Sequence, residues 1–189
     1  MKLWTLQPLS ILDEIERTGS YRCNRELSYN LSKRDSLDDK YQWLIKRMEQ
    51  RIGKRPEGVE YPIWAWHTWE EERRCPDIQS AAFLKRTEDK VLLTLEIPEN
   101  EIVLTDFDAW QIILNGGYLA LETAQEKLDE LEEWIDSLEE EELDRAIEES
   151  WENLFEIAGS DSEERGRFVQ ATFWELKKEY ILKTDIVEK

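Results

Sequence analysis

Val91-Leu92-Leu93-Thr94-Leu95-Glu96-Ile97-Pro98 is the stretch on which the fold turns. Side chains alternate across a strand, so Val91, Leu93, Leu95 and Ile97 share one apolar face, and Pro98 closes the run. Immediately downstream, Ile102-Val103-Leu104 reads as a second short strand. Thr105 or Asp106 then caps a helix carrying Trp110, Ile113 and Leu114, which Asn115-Gly116-Gly117 stops. Upstream, Tyr61-Pro62-Ile63-Trp64-Ala65-Trp66 reads as a strand with its proline near the start, where a missing donor is tolerated. Tyr41, Leu44, Ile45, Met48 and Ile52 recur on one helical face between Asp38 and Gly53. Nearer the amino terminus, Leu3-Trp4-Thr5-Leu6 is a strand, followed by a helix from about Pro8 to Gly19 with Leu9, Leu12 and Ile15 on one side. Tyr21 to Ser36 and Glu70 to Asp89 read as loops, and Phe168 to Ile181 returns to strand character. Regular strand–helix alternation is missing. The expectation is therefore a single α+β domain over residues 1–189, with a mixed or antiparallel central sheet and flanking helices.

Charge divides the chain. Residues 1–90 carry 17 Lys and Arg against 16 Asp and Glu, a net of +1, whereas residues 91–189 carry 8 against 28, a net of −20. Much of the excess lies in an acidic section at about 122–157, including Glu139-Glu140-Glu141-Glu142. Leu128, Leu131, Trp134, Ile135 and Leu138 interleave with these carboxylates, so the section predicts one long helix or two with a break after Leu138. Leu128, Leu131, Ile135 and Leu138 are expected to face the body of the protein. A field of this sign repels phosphates and anionic membrane surfaces and attracts basic partners, so direct nucleic acid or membrane binding is not expected.

Composition excludes several chemistries. Hydrophobic residues make up 40% of the chain and nine are Trp, too many for a disordered acidic polymer. No apolar run approaches the roughly 20 residues that span a bilayer, and the start lacks signal-peptide character, so a cytoplasmic protein is expected. Cys23 and Cys75 form no CxxC pair and read as reduced thiols, a single disulfide being the alternative. His67 is the only histidine, so no zinc set at ligand spacing exists and no metal is expected. GxSxG, Walker-type and GxGxxG motifs are absent, and His67 among Trp64, Trp66 and Trp69 reads as a packed residue.

Four segments are the markers of a resemblance: Leu3 to Pro8, Tyr61 to Trp66, Leu93 to Pro98 and Leu104-Thr105-Asp106-Phe107-Asp108-Ala109-Trp110. Together with Trp151-Glu152-Asn153-Leu154-Phe155 and Gln170-Ala171-Thr172-Phe173-Trp174, they make the chain similar to the bacterial domain-of-unknown-function family 3841 over nearly its full length. That resemblance implies a compact bacterial or phage cytosolic protein and no particular activity. The opening strand, the helix ending at Gly19, the Thr105-Asp106-x-x-Ala109 step and Gln170-Ala171 also resemble the layout of DNA-modifying ADP-ribosyltransferases. This second likeness implies NAD as cofactor, a first-strand His or Arg and a last-strand Glu. Here Trp4-Thr5 and Thr172 occupy those positions, with Glu175 the nearest substitute, so catalysis is expected to be degenerate.

Two functions follow as expectations. In the first, the protein holds a nucleotide or NAD-like ligand. Trp4, Trp64 and Trp66 supply flat rings, Gln7 an amide, and Asp106 and Asp108 carboxylates for acid–base work. The bland reading makes the tryptophans core and the two aspartates helix caps. In the second, Glu139, Glu140, Glu141 and Glu142 belong to a non-enzymatic interaction surface. Its carboxylates imitate a phosphate backbone and inhibit a basic nucleic-acid-binding partner such as a defence nuclease. The bland reading of the same run is a solvated helix face. Arg22, Arg25, Lys33 and Arg34 form a modest basic patch, which reads most simply as solvated surface.

Overall fold

The computed structural model describes residues 1–23, 25, 37–78, 89–122, 124–157 and 165–187. Six strands form one antiparallel sheet: β1 (Lys2–Pro8), β3 (Ile63–Trp69), β4 (Lys90–Glu96), β5 (Val103–Asp106), β6 (Phe168–Phe173) and β8 (Ile181–Val187), in the spatial order β5-β6-β3-β1-β4-β8. A separate two-stranded ribbon pairs β2 (Ser20–Arg22) with β7 (Glu175–Lys177). The helices are α1 (Ile11–Thr18), α2 (Asp38–Ile52), α3 (Phe107–Leu114), α4 (Gln125–Asp136) and α5 (Glu140–Ser150), and a 3-10 turn, Trp151–Phe155, continues from α5. This is the expected α+β class, with the antiparallel option realised.

Both faces of the sheet carry a packed core, and β4 gives its apolar residues Val91, Leu93 and Leu95 to one of them. On one face Val91, Leu93, Leu95 and Ile97 are fully buried with Leu3, Ile63, Ala65 and Phe173. Ile11 and Ile15 of α1 and Tyr21 and Leu176 of the β2–β7 ribbon close over them. On the other face Trp64 packs against a second core built from α2 (Tyr41, Leu44, Met48), α3 (Trp110, Ile113), Val103, Trp151 and Leu154. Gly19, at φ +85°, ends α1 in the left-handed conformation and sends its N–H back to Ile15 O, which lets the chain reverse directly into β2.

The structure corrects three expectations. Phe168 to Ile181 is not one strand. The chain leaves the large sheet at Trp174, whose indole donates to Gly53 O at 3.3 Å, joins the ribbon as β7, and returns through a short 3-10 turn to β8. Tyr21 and Arg22 belong to β2 rather than to a loop, while 24 and 26–36, with Lys33 and Arg34, lie outside the described residues. The acidic section does break into two helices, α4 and α5, but Leu128, Leu131, Ile135 and Leu138 are only half-buried and α4 has no buried residue. Leu131 and Leu138 line surface grooves instead of joining the core.

Truncation tests the double-faced sheet. Leu93→Ala removes a fully buried side chain and is expected to lower the unfolding free energy by about 2–5 kcal/mol. Trp64→Ala, beside Trp110 at 5.4 Å between ring centres, is expected to cost about 3 kcal/mol. Urea denaturation measures both, and an unchanged midpoint for either would remove that residue from the core.

Candidate functional site

The ring-bearing residues proposed from sequence do meet. Trp4 lies opposite Trp66 in the β1–β3 register, and Trp64 stands two positions along on the same face. Their surfaces are occupied by other rings, however. Trp64 packs on Trp110 and on Tyr41 (6.5 Å), while Trp66 packs on Trp69 (4.9 Å) and Phe107 (5.2 Å). Trp4 is buried under the Lys2 ammonium, 5.6 Å from its ring centre. Gln7 alternates with Leu6 and Trp4 and so faces the opposite side of the sheet, where its amide donates to Thr5 Oγ1 at 2.8 Å.

Asp106 is 2% exposed and fully engaged. It caps α3 by accepting from Ala109 N at 2.9 Å, and its other oxygen accepts from Gly166 N at 2.8 Å. Asp108, on the first turn of α3, is exposed. The positions matched to the transferase layout are equally committed: Thr5 Oγ1 donates to Trp64 O at 2.8 Å, Thr172 Oγ1 to Val103 O at 3.2 Å, and Glu175 pairs with Arg22 at 2.7 Å. His67 contacts Thr68 Oγ1 at 2.8 Å, and its pKa is pushed down to about 4, first by burial and then by the nearby Arg73 and amino-terminal charges. Cys23 and Cys75 are both free thiols, and burial raises the pKa of each.

Open concavities lie instead along the acidic hairpin. Tyr118 and Trp134 meet edge-to-face, 6.1 Å between centres, and the Trp134 side chain remains 44% exposed. On one side of this pair a groove of about 510 Å³ runs between α4 and α5, lined by Leu138, Glu142, Arg145, Ala146 and Glu149. On the other side a groove of about 460 Å³ is lined by Leu121, Glu122, Lys127, Glu130 and Leu131. Tyr118, Trp134 and Asn153 border both.

The wall between these grooves is stitched to the body of the protein. Leu119 N donates to Ser150 Oγ at 2.9 Å, Asn153 Nδ2 to Leu119 O at 2.8 Å, and the Trp151 indole to Gly117 O at 3.1 Å. The Arg165 guanidinium joins Asn153 O at 2.7 Å to Ala120 O at 3.3 Å. Gly117 has no room for a side chain, because a Cβ there would lie 2.9 Å from Ile112 Cγ2. Around this fixed wall, residues 125–150 carry thirteen carboxylates against only Lys127 and Arg145. Glu139, Glu140, Glu141 and Glu142 are all exposed at the start of α5, with Glu142 turned into the larger groove.

Sequence reasoning did not single out Tyr118, Arg145 or the exposure of Trp134. The pattern gave no signal for that exposure, since Trp134 falls at core-facing helical spacing from Leu131 and Leu138. These elements, from β1 to the start of β8 and including the whole hairpin, are what the family comparison covers: the model of the family Domain of unknown function (DUF3841) matches residues 2–182. The chain belongs to this family. No curated protein and no solved structure matches it, and the ADP-ribosyltransferase likeness rests on the sequence segments alone. Among the described residues, no helix is long and apolar enough to cross a membrane, and no cluster of three or more His, Cys, Asp or Glu suits a metal ion.

Two outcomes check these assignments. Asp106→Ala leaves the buried Ala109 N–H and the half-buried Gly166 N–H without their acceptor and is expected to cost about 2 kcal/mol in chemical denaturation, whereas a purely ligand-binding Asp106 would leave stability unchanged. The depressed pKa of His67 means that the unfolded chain binds a proton more readily than the folded one between about pH 6.5 and about pH 4. That contribution to stability is intact above pH 6.5 and is lost as pH falls toward 4. His67→Gln is therefore expected to flatten this part of the stability–pH curve, and urea midpoints at pH 7 and pH 4.5 measure the difference.

Proposed function

We propose that the protein is a non-enzymatic interaction module whose acidic α4–α5 hairpin receives a basic segment of another protein. The observation that carries this reading is Trp134: a large apolar ring, 44% exposed and braced edge-on by Tyr118, between two grooves rimmed with carboxylates. An aromatic anchor surrounded by polar, charged residues is the make-up of an energetically dominant contact patch. The carboxylates select for Lys- and Arg-rich surfaces and speed the encounter. A nucleic-acid-binding protein, whose phosphate-binding groove is basic, is the partner class with the best charge match, and imitation of phosphates by the hairpin would inhibit it. Nucleic acid itself is repelled. The alternative, an NAD-like ligand among Trp4, Trp64 and Trp66, draws less support, since those rings are occupied by neighbouring aromatic or cationic side chains.

A photocrosslinking amino acid at position 134 in living bacteria tests the reading. The expected product is a cross-link to a basic protein. Joint replacement of Glu139, Glu140, Glu141 and Glu142 by Gln should reduce its yield several-fold, because four charges vanish while helix propensity is kept. With the captured partner purified, affinity should fall steeply as salt rises, since exposed charges are screened over about 8 Å at physiological ionic strength. Binding indifferent to both changes would reduce the acidic face to a solvated surface.

A further inference from the structure

The outer edge of β8 pairs with no strand among the described residues, so a row of backbone donors and acceptors faces outward. Such edges are sites of association unless blocked, and proteins commonly block them with charge, proline or a covering element. β8 carries no proline, its register against β4 shifts at Leu182, and two of its large apolar residues, Leu182 and Ile186, are 59% and 63% exposed. Its only charges are Lys183 and Asp185, which pair with each other at 2.7 Å along the strand.

We infer that β8 is a self-complementary edge through which two copies of this chain join their sheets antiparallel. The sequence of the strand, Ile181-Leu182-Lys183-Thr184-Asp185-Ile186-Val187, dictates the register. A two-fold axis at Thr184 sets Leu182 opposite Ile186 of the second copy, and Lys183 opposite its Asp185. The four charges then alternate in sign around a square, within the stretch Lys183–Val187 that keeps a regular register with β4; Leu182 lies at the register shift. Opposite charges and apolar pairs directly across an antiparallel ladder stabilise it, and like charges there destabilise it. The lysine that would ordinarily guard the edge is thus answered by the partner's aspartate, which argues for a second copy rather than for a partner of other sequence.

The position of β8 in the sheet also removes the obvious objection, the net charge of −19. The acidic hairpin lies toward the far edge, because the 3-10 turn continuing from α5 packs on β5. Five inter-strand steps of about 4.8 Å put roughly 24 Å between β5 and β8 in each copy, well beyond the screening length at physiological salt. At the β8 end of the sheet Lys2, Lys90 and Lys183 stand beside Glu96, Asp89 and Asp185, a balance of charge that the chain as a whole lacks. The result is a continuous twelve-stranded sheet with the two hairpins at its opposite ends.

Sedimentation equilibrium of the full chain over a concentration series is the test, with two single charge reversals. The native chain is expected to form a reversible dimer. Lys183→Asp alone, or Asp185→Lys alone, sets like charges across both pairs and should weaken self-association about tenfold. An equimolar mixture of the two variants should recover dimerisation, as should the double reversal in one chain. Both side chains are exposed, at 66% and 41%, so the fold is not at stake. A native chain monomeric at every concentration would overturn the inference. So would a dimer indifferent to the single reversals, or a mixture that fails to recover.

Discussion

The antiparallel ladder between β1 and β4 holds the architecture together. It runs unbroken over seven pairs, from Lys2 opposite Glu96 to Pro8 opposite Lys90. Because its register is fixed, Leu3 is held beside Leu95 on one face while Trp4 and Leu6 stay on the other. A slip of one residue would exchange the two sets and expose both cores at once. β3 and β8 then dock on the two sides of this pair, β6 and β5 extend it, and the helices distribute themselves over faces whose character is already decided. The hydroxyls that fall in this apolar setting are mostly satisfied locally, Thr5 by Trp64 O and Thr172 by Val103 O. Thr105 Oγ1 is buried without a partner among the described residues, a small penalty beside the Asp106 cap.

The acidic hairpin is organised on a different principle. α4 contributes nothing to the buried core, and it is held through its connection to α5 and through contacts with the segment after Gly117. The anchoring comes from the other end. Ile147 packs on the α2–α3 core, Trp151 is buried against Trp43 at 5.6 Å, and Glu152 pairs with Arg47 and Arg51. A rigid base and a lightly packed outer helix make a surface that can adapt to a partner without disturbing the sheet.

Legibility in the sequence followed burial. β4 announces itself because Val91, Leu93, Leu95 and Ile97 alternate onto one apolar face, and α2 because five apolar residues recur at helical spacing. β8 was unreadable for the opposite reason: an edge strand keeps Leu182 and Ile186 in solvent and mixes them with Lys183 and Asp185, so its pattern matches neither a buried nor a half-buried strand. The ribbon strands β2 and β7, three residues each, are too short to carry a period. Asp106 was correctly placed as a cap, but its second bond, to Gly166, joins residues 60 apart and could not be inferred locally. The same limit applies to Tyr118, which reaches Trp134 only because the Gly116-Gly117 turn and the bonds around Ser150 and Asn153 aim it there.

The strand order carries a consequence for how the chain is made. No two strands form a hairpin, and every residue pair in the large sheet is at least 62 positions apart, the minimum being Trp4 with Trp66. Loop closure must therefore precede every rung of the ladder, which places the protein among slow folders. During synthesis β1 can pair with β3, and with β4 once residue 96 has cleared the ribosome, but β5 waits for β6, some 70 residues later. In that interval β5, α3 and the strongly charged acidic hairpin emerge, ahead of the strand that completes the sheet.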